Sequence, residues 1–270
     1  MIQEISRGLV VLGCGNMGQA LVEGWVEDGL DPQVIWVIEP NPSTELRALG
    51  LRINRELPSH PWGVLVAVKP QMLSLALPQV AHLGNGSTLF VSIAAGTTLA
   101  TFEGALGADT PVIRTMPNTP AAIGQGVTAI VGNANASDAH LAGAERLLNA
   151  VGSVVRVETE AQIDAVTGVS GSGPAYVFHL IETLTEAGVA QGLPRETASH
   201  LAKATVAGAG ALALQSETDP AQLRVNVTSP NGTTQAALEV LMNPNTGFPA
   251  LVPQAVAAAV KRAQELAKGA

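Results

Sequence analysis

The apolar run Leu9-Val10-Val11-Leu12 passes directly into Gly13-Cys14-Gly15-Asn16-Met17-Gly18, and a helical pattern over residues 19–27 follows, closed by Gly29. Few features restrict a fold so tightly. Glycines at this spacing permit a tight turn, let the backbone approach a pyrophosphate, and bring helix and strand close together. The helix N-terminus behind them favours phosphate charge. The spacing alone is a weak signal. With a strand before it and a helix after it, the loop reads as a dinucleotide site at Gly13, Cys14, Gly15, Asn16, Met17 and Gly18.

The rest of the first half repeats strand and helix. A strand over residues 34–38 ends at Glu39, about twenty residues past the glycine loop, where an acidic side chain accepts from the adenosine ribose hydroxyls and repels a 2′-phosphate. That favours NADH. Asn41 and Ser43 pull toward NADPH if they bind a phosphate, or else cap the helix that Pro42 begins, so NADPH stays open. The apolar strand over residues 64–68 ends in Lys69-Pro70, leaving the lysine at the strand's carboxyl end, as a cofactor contact or a solvated side chain. Another strand, 89–93, ends in Ala94-Ala95-Gly96, small enough for a nicotinamide ring to lie nearby. Strands at 112–114, 128–131 and 154–157 complete a long sheet. Met116-Pro117-Asn118-Thr119-Pro120 is a stiff loop, offering Asn118 and Thr119 as polar contacts or serving only as a turn.

From residue 160 onward only helical patterns remain, at 161–167, 174–190, 195–214, near 221, at 233–242 and at 249–267. The fold class is therefore α/β: an N-terminal Rossmann-like doubly wound sheet, residues 1–159, followed by an all-α domain, residues 160–270. Val-Ser-Gly-Ser-Gly-Pro-Ala-Tyr at 169–176 reads as the hinge between the halves, with Ser172 capping a long helix and Pro174 in its first turn. Val227-Thr228-Ser229-Pro230-Asn231-Gly232-Thr233-Thr234 places hydroxyls and a tight turn at another helix N-terminus, a place to hold a small carboxylate or an ordinary cap.

Composition narrows the partners. Hydrophobic residues make up 47% and aromatics 3%, so the helices must pack through alanine and aliphatic side chains, an arrangement that suits an oligomeric interface. A net charge of −8 with scattered Lys and Arg argues against nucleic acid. No run approaches the ~18 apolar residues of a membrane span. The single cysteine, Cys14, fits a reducing compartment, and no signal peptide is evident, so the expected location is cytoplasmic. None of the five histidines stands at metal-ligand spacing, and no metal site is expected.

These stretches, in this order, resemble the pyrroline-5-carboxylate reductase family over nearly the whole chain. The likeness rests on Gly13 to Gly18, Ala67-Val68-Lys69-Pro70, Ala94-Ala95-Gly96, Arg114 to Pro120, the run from Ile163 through Tyr176, and the Thr228 to Thr234 turn. It implies hydride transfer from NADPH or NADH to the cyclic imine of pyrroline-5-carboxylate, giving L-proline. It implies that Asn54, Ala67, Val68, Lys69, Pro70 and Ala95 contact the cofactor alongside Glu39 and Asn41. Thr234 would hydrogen-bond the ring nitrogen, and Ser229 with the amides of Gly232, Thr233 and Thr234 would hold the carboxylate. It also implies interlocked homodimers that assemble further, commonly into decamers.

Three positions depart from the family pattern: Asn231 replaces a glycine of the turn, Val225 an acidic residue, and Trp62-Gly63 an Asp-Val pair. A β-hydroxyacid dehydrogenase shares the domain order but needs a catalytic lysine early in the helical half, and no lysine lies between Lys69 and Lys203. A non-catalytic NAD(P)-sensing protein would keep the glycine loop without needing Ser229, Thr233 and Thr234.

Overall fold

In the computed structural model, which describes residues 5–267, the run at 9–12 is wholly buried and forms β1 (Leu9–Leu12), inside an eight-stranded sheet. Alternation along the strand sends Leu9 and Val11 to one face and Val10 and Leu12 to the other, and each pair joins a separate apolar core. The chain continues through α1 (Asn16–Glu27), β2 (Ile35–Ile38), α2 (Thr44–Ala48), β3 (Arg52–Ile53), β4 (Gly63–Val66) and α3 (Leu73–Ala76). Then come β5 (Leu89–Ser92), α4 (Leu99–Leu106), β6 (Val112–Met116), β7 (Gly126–Gly132), α5 (Asp138–Leu148) and β8 (Gly152–Arg156).

The strands lie in the order β3-β2-β1-β4-β5-β6-β7-β8, so the winding reverses between β1 and β4. Open sheets bind ligands at the carboxyl edge of such a switch point. One core holds Leu21, Val22 and Trp25 of α1 with Leu147 and Leu148 of α5; Trp25 also donates its indole N–H to the Leu147 carbonyl at 2.7 Å. The other core holds Leu73, Phe102 and Leu106.

Three details depart from the sequence reading. Helix α1 begins at Asn16 rather than near Gln19, because Gly15 is already extended (φ −72°, ψ −170°) and the next residue starts the helix. Strand β3, an Arg-Ile pair, is too short to show a pattern of its own. Strand β7 runs antiparallel to β6, since residues 117–125 fall short of the roughly dozen residues a parallel crossover requires. Strand β8 returns parallel to β7 after α5.

Beyond the sheet, α6 (Glu160–Val166) runs through a π-helical turn, Thr167–Gly171, before α7 (Gly173–Ala190). Ser172 makes no side-chain cap and is right-handed helical (φ −87°, ψ −17°), which corrects the reading of this stretch as a capped helix start. The chain reaches Ser172 already coiled, so there is no extended residue from which a cap could form. A Cβ at Gly171 would stand 2.6 Å from Cε of Met116, so any larger residue there would have the end of that flexible side chain move aside.

The chain divides into two compact units, one ending at Gly171 and including the chain from Ala259, the other Ser172–Ala258. The line expected at 159/160 follows a different criterion, the change from strands to helices. Helix α6 lies past that line, yet its Ile163 packs into the core on the sheet.

The second unit contains α7, α8 (Arg195–Gln215), α9 (Pro220–Asn226), α10 (Thr233–Leu241) and the start of α11 (Phe248–Ala267). Helices α7 and α8 pack closely because Gly188 lacks a side chain; a Cβ there would stand 3.1 Å from that of Ala198. Few of this unit's side chains are buried in the single chain, chiefly Thr185, Ala198 and Ala202. Phe178, Leu201, Leu212, Leu214, Val240 and Leu251 are exposed. A helical unit with apolar side chains on so many faces requires a further surface to cover them. Among the described residues, no helix is long and apolar enough to cross a membrane.

Candidate active site

The carboxyl ends of β1, β2 and β4 surround a cleft of about 460 Å³, lined by Gly13, Cys14, Gly15, Glu39, Asn41, Ala67, Val68 and Lys69. Gly13 has φ +79°, and a Cβ there would meet Cγ1 of Val68 at 2.5 Å; both the backbone angle and the space demand glycine. A Cβ on Gly18 would press on Ala67 at 3.2 Å, so this glycine sets the approach of α1 to the sheet. Around Gly15 the space is open. Helix α1 carries neither a side-chain cap nor an acidic residue in its first turn, so the amides of Asn16, Met17 and Gly18 open its positive end. An open cradle at an uncapped helix start fits a pyrophosphate.

Glu39 organises the adenosine side of this cleft. Its Oε2 accepts the Cys14 amide at 2.9 Å and its Oε1 accepts the Asn41 amide at 3.0 Å. The Gly13 amide donates to the Ile38 carbonyl at 2.8 Å, so the glycine loop is tied twice to the end of β2. Ser43 caps α2 through Leu46 and donates to Gln19, while Arg47 turns back to the Pro42 carbonyl. Of the two residues read as phosphate contacts, Ser43 is therefore engaged elsewhere. Helix α2 starts at Thr44, two residues past the proline expected to begin it. Burial, then the charges of Glu39 and Glu23, push the Cys14 thiol from its ordinary 9.0 up to about 12, which disfavours the nucleophilic thiolate near neutral pH.

Asn54 stands apart from the cleft lining. It adopts a left-handed conformation (φ 51°), and its side chain grips the backbone of Glu39 at both ends. The Glu39 amide donates to Oδ1 at 3.0 Å, and Nδ2 donates to the Glu39 carbonyl at 2.8 Å. Pro70 opens the short turn after β4, and Ala95 is exposed beyond β5, neither forming part of the cleft wall.

Sequence reading missed the far wall, made by Met72, Leu75, Ala76 and Gln79. Their spacing, i, i+3, i+4 and i+7, was the available signal for one helical face. Asn118, read as a polar contact or a turn residue, is structural: Oδ1 accepts the Val127 amide at 2.9 Å and Nδ2 reaches the Ser170 carbonyl at 3.2 Å.

In the helical unit, the turn at 228–234 opens α10, which has no side-chain cap and no acidic residue in its first turn. Asn231 takes a left-handed conformation (φ 59°), which asparagine tolerates better than most residues. The Gly232 amide is engaged within the turn, donating to the Ser229 carbonyl at 3.0 Å. Of the amides at this helix start, those of Thr233 and Thr234 are the ones left open by the turn, with Ser229 exposed and Thr234 half-buried. Thr228 is tied back to the preceding helix, its hydroxyl donating to the Arg224 carbonyl at 2.6 Å. Among the described residues no His, Cys, Asp and Glu cluster could hold a metal ion.

Residues 160–266 match the family model described as pyrroline-5-carboxylate reductase dimerisation, and residues 8–96 match one described as NADP oxidoreductase, coenzyme F420-dependent. A pyrroline-5-carboxylate reductase from Pseudomonas aeruginosa is 42% identical over 266 residues, 96% of this chain and 97% of that protein. The solved structure of a pyrroline-5-carboxylate reductase from Coxiella burnetii superposes with a TM-score of 0.90 at 35% identity, covering 97% of this chain and 98% of that one. A Plasmodium falciparum pyrroline carboxylate reductase with NADP bound gives a TM-score of 0.81 at 28% identity, over 96% and 98% of the two chains. Over nearly its full length the chain thus matches proteins of one kind, in sequence and in fold, and it belongs to the pyrroline-5-carboxylate reductase family.

Proposed function

We propose that this protein reduces 1-pyrroline-5-carboxylate to L-proline with NAD(P)H, the last step of proline biosynthesis. The observation that carries this reading is the full-length 42% identity to a reductase of that name. The residues suit the reaction. The cofactor's pyrophosphate would be held at Gly15, Asn16 and Met17, with Ala67, Val68 and Lys69 alongside, and the small side chain of Ala95 would leave room for the nicotinamide. When bound, that group supplies hydride to the imine carbon. The substrate's carboxylate is held by the Thr233 and Thr234 amides and the Ser229 hydroxyl, and the Thr234 hydroxyl meets the ring nitrogen.

As the carbon gains hydride, the C=N electron pair moves to nitrogen, and the protonated imine becomes a secondary amine. A protonated imine is already electrophilic, so orientation supplies most of the rate and no histidine or paired carboxylate is required. Hydride transfer needs the carboxylate turn and the cofactor cleft to come together in the assembled enzyme. The chain forms a homodimer through its helical region, in keeping with the dimerisation model matched at 160–266. We propose further that dimers assemble into a decamer and that the enzyme works in the cytoplasm.

NADH is the proposed preferred cofactor. Glu39 lies with both oxygens fixed by backbone amides, and Arg47, the nearest cation after β2, is turned to the Pro42 carbonyl. An ionised carboxylate has about four acceptor positions, so two remain for the ribose hydroxyls, whereas a 2′-phosphate meets like charge. Purified protein given pyrroline-5-carboxylate is expected to oxidise NADH faster than NADPH and to release proline. Cofactor binding without oxidation would instead mark a non-catalytic nucleotide-binding protein of the same fold.

A further inference from the structure

We propose that Glu160 is a positioning residue for hydride transfer, latching the start of α4 so that the 93–98 segment beside the nicotinamide is held in place; this rests on the reading of Ala95 as the nicotinamide's neighbour in a reductase. The segment links the end of β5, Ser92, to the first residue of α4, Leu99, and Ala95 is exposed at its middle. Its β5 end is held by the sheet. The Ile93 amide donates to the Val66 carbonyl at 3.0 Å, and the Ala94 amide to Oγ of Ser92 at 3.2 Å. From the neighbouring strand, the Thr115 hydroxyl donates to the Ser92 carbonyl at 2.9 Å.

The α4 end needs partners from elsewhere, because the first amides of a helix find none within it. Thr98 supplies one, its hydroxyl accepting the Thr101 amide at 3.2 Å. The Leu99 amide is taken by Oε1 of Glu160, 61 residues away, at 2.8 Å. Glu160 opens α6, so its carboxylate meets the positive ends of two helices at once. The same oxygen accepts Nη1 of Arg114 at 2.9 Å. Arg114 is buried on β6 and lies opposite Ser92 in the strand register. One arginine thus stands across from the residue where the segment begins and, through Glu160, holds the residue where it ends. Asp164 pairs with the same guanidinium at 3.4 Å, so it shares the arginine without sharing the latch. With the latch removed, the Leu99 amide loses its acceptor and the segment gains freedom, which spreads the orientations open to the nicotinamide while the pyrophosphate cradle is untouched. Hydride transfer depends on orientation and therefore slows more than binding weakens.

The test compares the full-length wild type with Glu160→Ala, Glu160→Gln, Leu99→Pro and Asp164→Ala, each held well below its unfolding midpoint. Glutamine keeps an oxygen for both donors without the charge. Leu99→Pro leaves the ion pairs in place and removes the donor itself, at a first helical position that proline tolerates. Three measurements are made: hydrogen–deuterium exchange over the peptide 94–102, the fluorescence lifetime and dissociation constant of bound NADH and NADPH, and kcat with the primary isotope effect of cofactor deuterated at the transferred position. Glu160→Ala and Leu99→Pro are expected to speed exchange in that peptide and to move the bound-cofactor lifetime toward that of free cofactor. They should lower kcat on the order of 10- to 100-fold with a raised isotope effect, leaving the dissociation constants nearly unchanged. Glu160→Gln should recover most of the rate, and Asp164→Ala should lower the unfolding midpoint while keeping wild-type kcat and lifetime. An Asp164→Ala enzyme as slow as Glu160→Ala, or wild-type exchange and lifetime in both Glu160→Ala and Leu99→Pro, would overturn the proposal. Exchange and lifetime need no substrate, so a wild type inert toward pyrroline-5-carboxylate would count against the proposed reaction, while those two readouts still decide the latch.

Discussion

Thr234 offers the shortest path from one side chain to catalysis, because its hydroxyl stands in the first turn of α10 beside the free amides of that helix start. Thr234→Ala is expected to lower kcat by about 5- to 150-fold, the effect of roughly 1–3 kcal/mol of lost transition-state stabilisation, with proline formation under saturating cofactor as the measurement. Near-wild-type turnover would remove Thr234 from the mechanism. Cys14 illustrates the opposite case, a residue in the cofactor cleft whose chemistry is suppressed. Its folded-state pKa, raised to about 12 from 9.0, makes the folded chain retain a proton that the unfolded chain releases. This contribution to stability is fully present below pH 9 and is lost as pH rises from 9 toward 12. Thiol reagents at mild pH are expected to modify Cys14 only after unfolding, as followed by mass spectrometry. Rapid labelling of the native protein would contradict the burial argument.

Between elements, the arrangement that most depends on single side chains is the buried guanidinium of Arg114 on β6. It pairs with Glu160 at 2.9 Å and Asp164 at 3.4 Å, both on α6. Glu160 also accepts the Leu99 amide at 2.8 Å, so one carboxylate joins the start of α4 to β6 and α6. Taking away a partner leaves a charge with little access to water, which costs about 3–5 kcal/mol when such a pair is fully buried. Glu160 is partly exposed, at 31% of its side chain, so Glu160→Ala is expected to lose somewhat less, on the order of 2 kcal/mol. Urea unfolding, with cofactor oxidation measured alongside, checks this; an unchanged midpoint would show the network to be dispensable.

At the level of the whole molecule, the exposed apolar side chains of the second unit tie folding to association. A protein whose helices are completed by a second copy gains stability by mass action, so its thermal midpoint is expected to rise with protein concentration over a dilution series. Leu201→Asp, at a position half exposed in the single chain, is expected to shift the species seen by light scattering toward monomer. A midpoint independent of concentration, with the variant still fully associated, would place the interface elsewhere.

The sequence by itself determined the sheet's central strand, the glycine loop, the hydroxyl-rich turn and the succession of strands then helices, because each rests on local chemistry. Only glycine accepts the backbone of Gly13 against Val68, and only an uncapped helix start leaves amides for an anion. Asn231 in place of a glycine was legible for the same reason, as a residue that tolerates the left-handed backbone. The tertiary structure alone decided which polar groups remain available. Glu39, Gly232 and Thr228 all carry groups that read as ligand contacts in a linear chain. In the folded chain Gly232 donates to Ser229 and Thr228 to Arg224, while two Glu39 acceptor positions stay open. Hydrogen-bond partners are chosen by what folding brings near, and that pairing is not written in the spacing of residues.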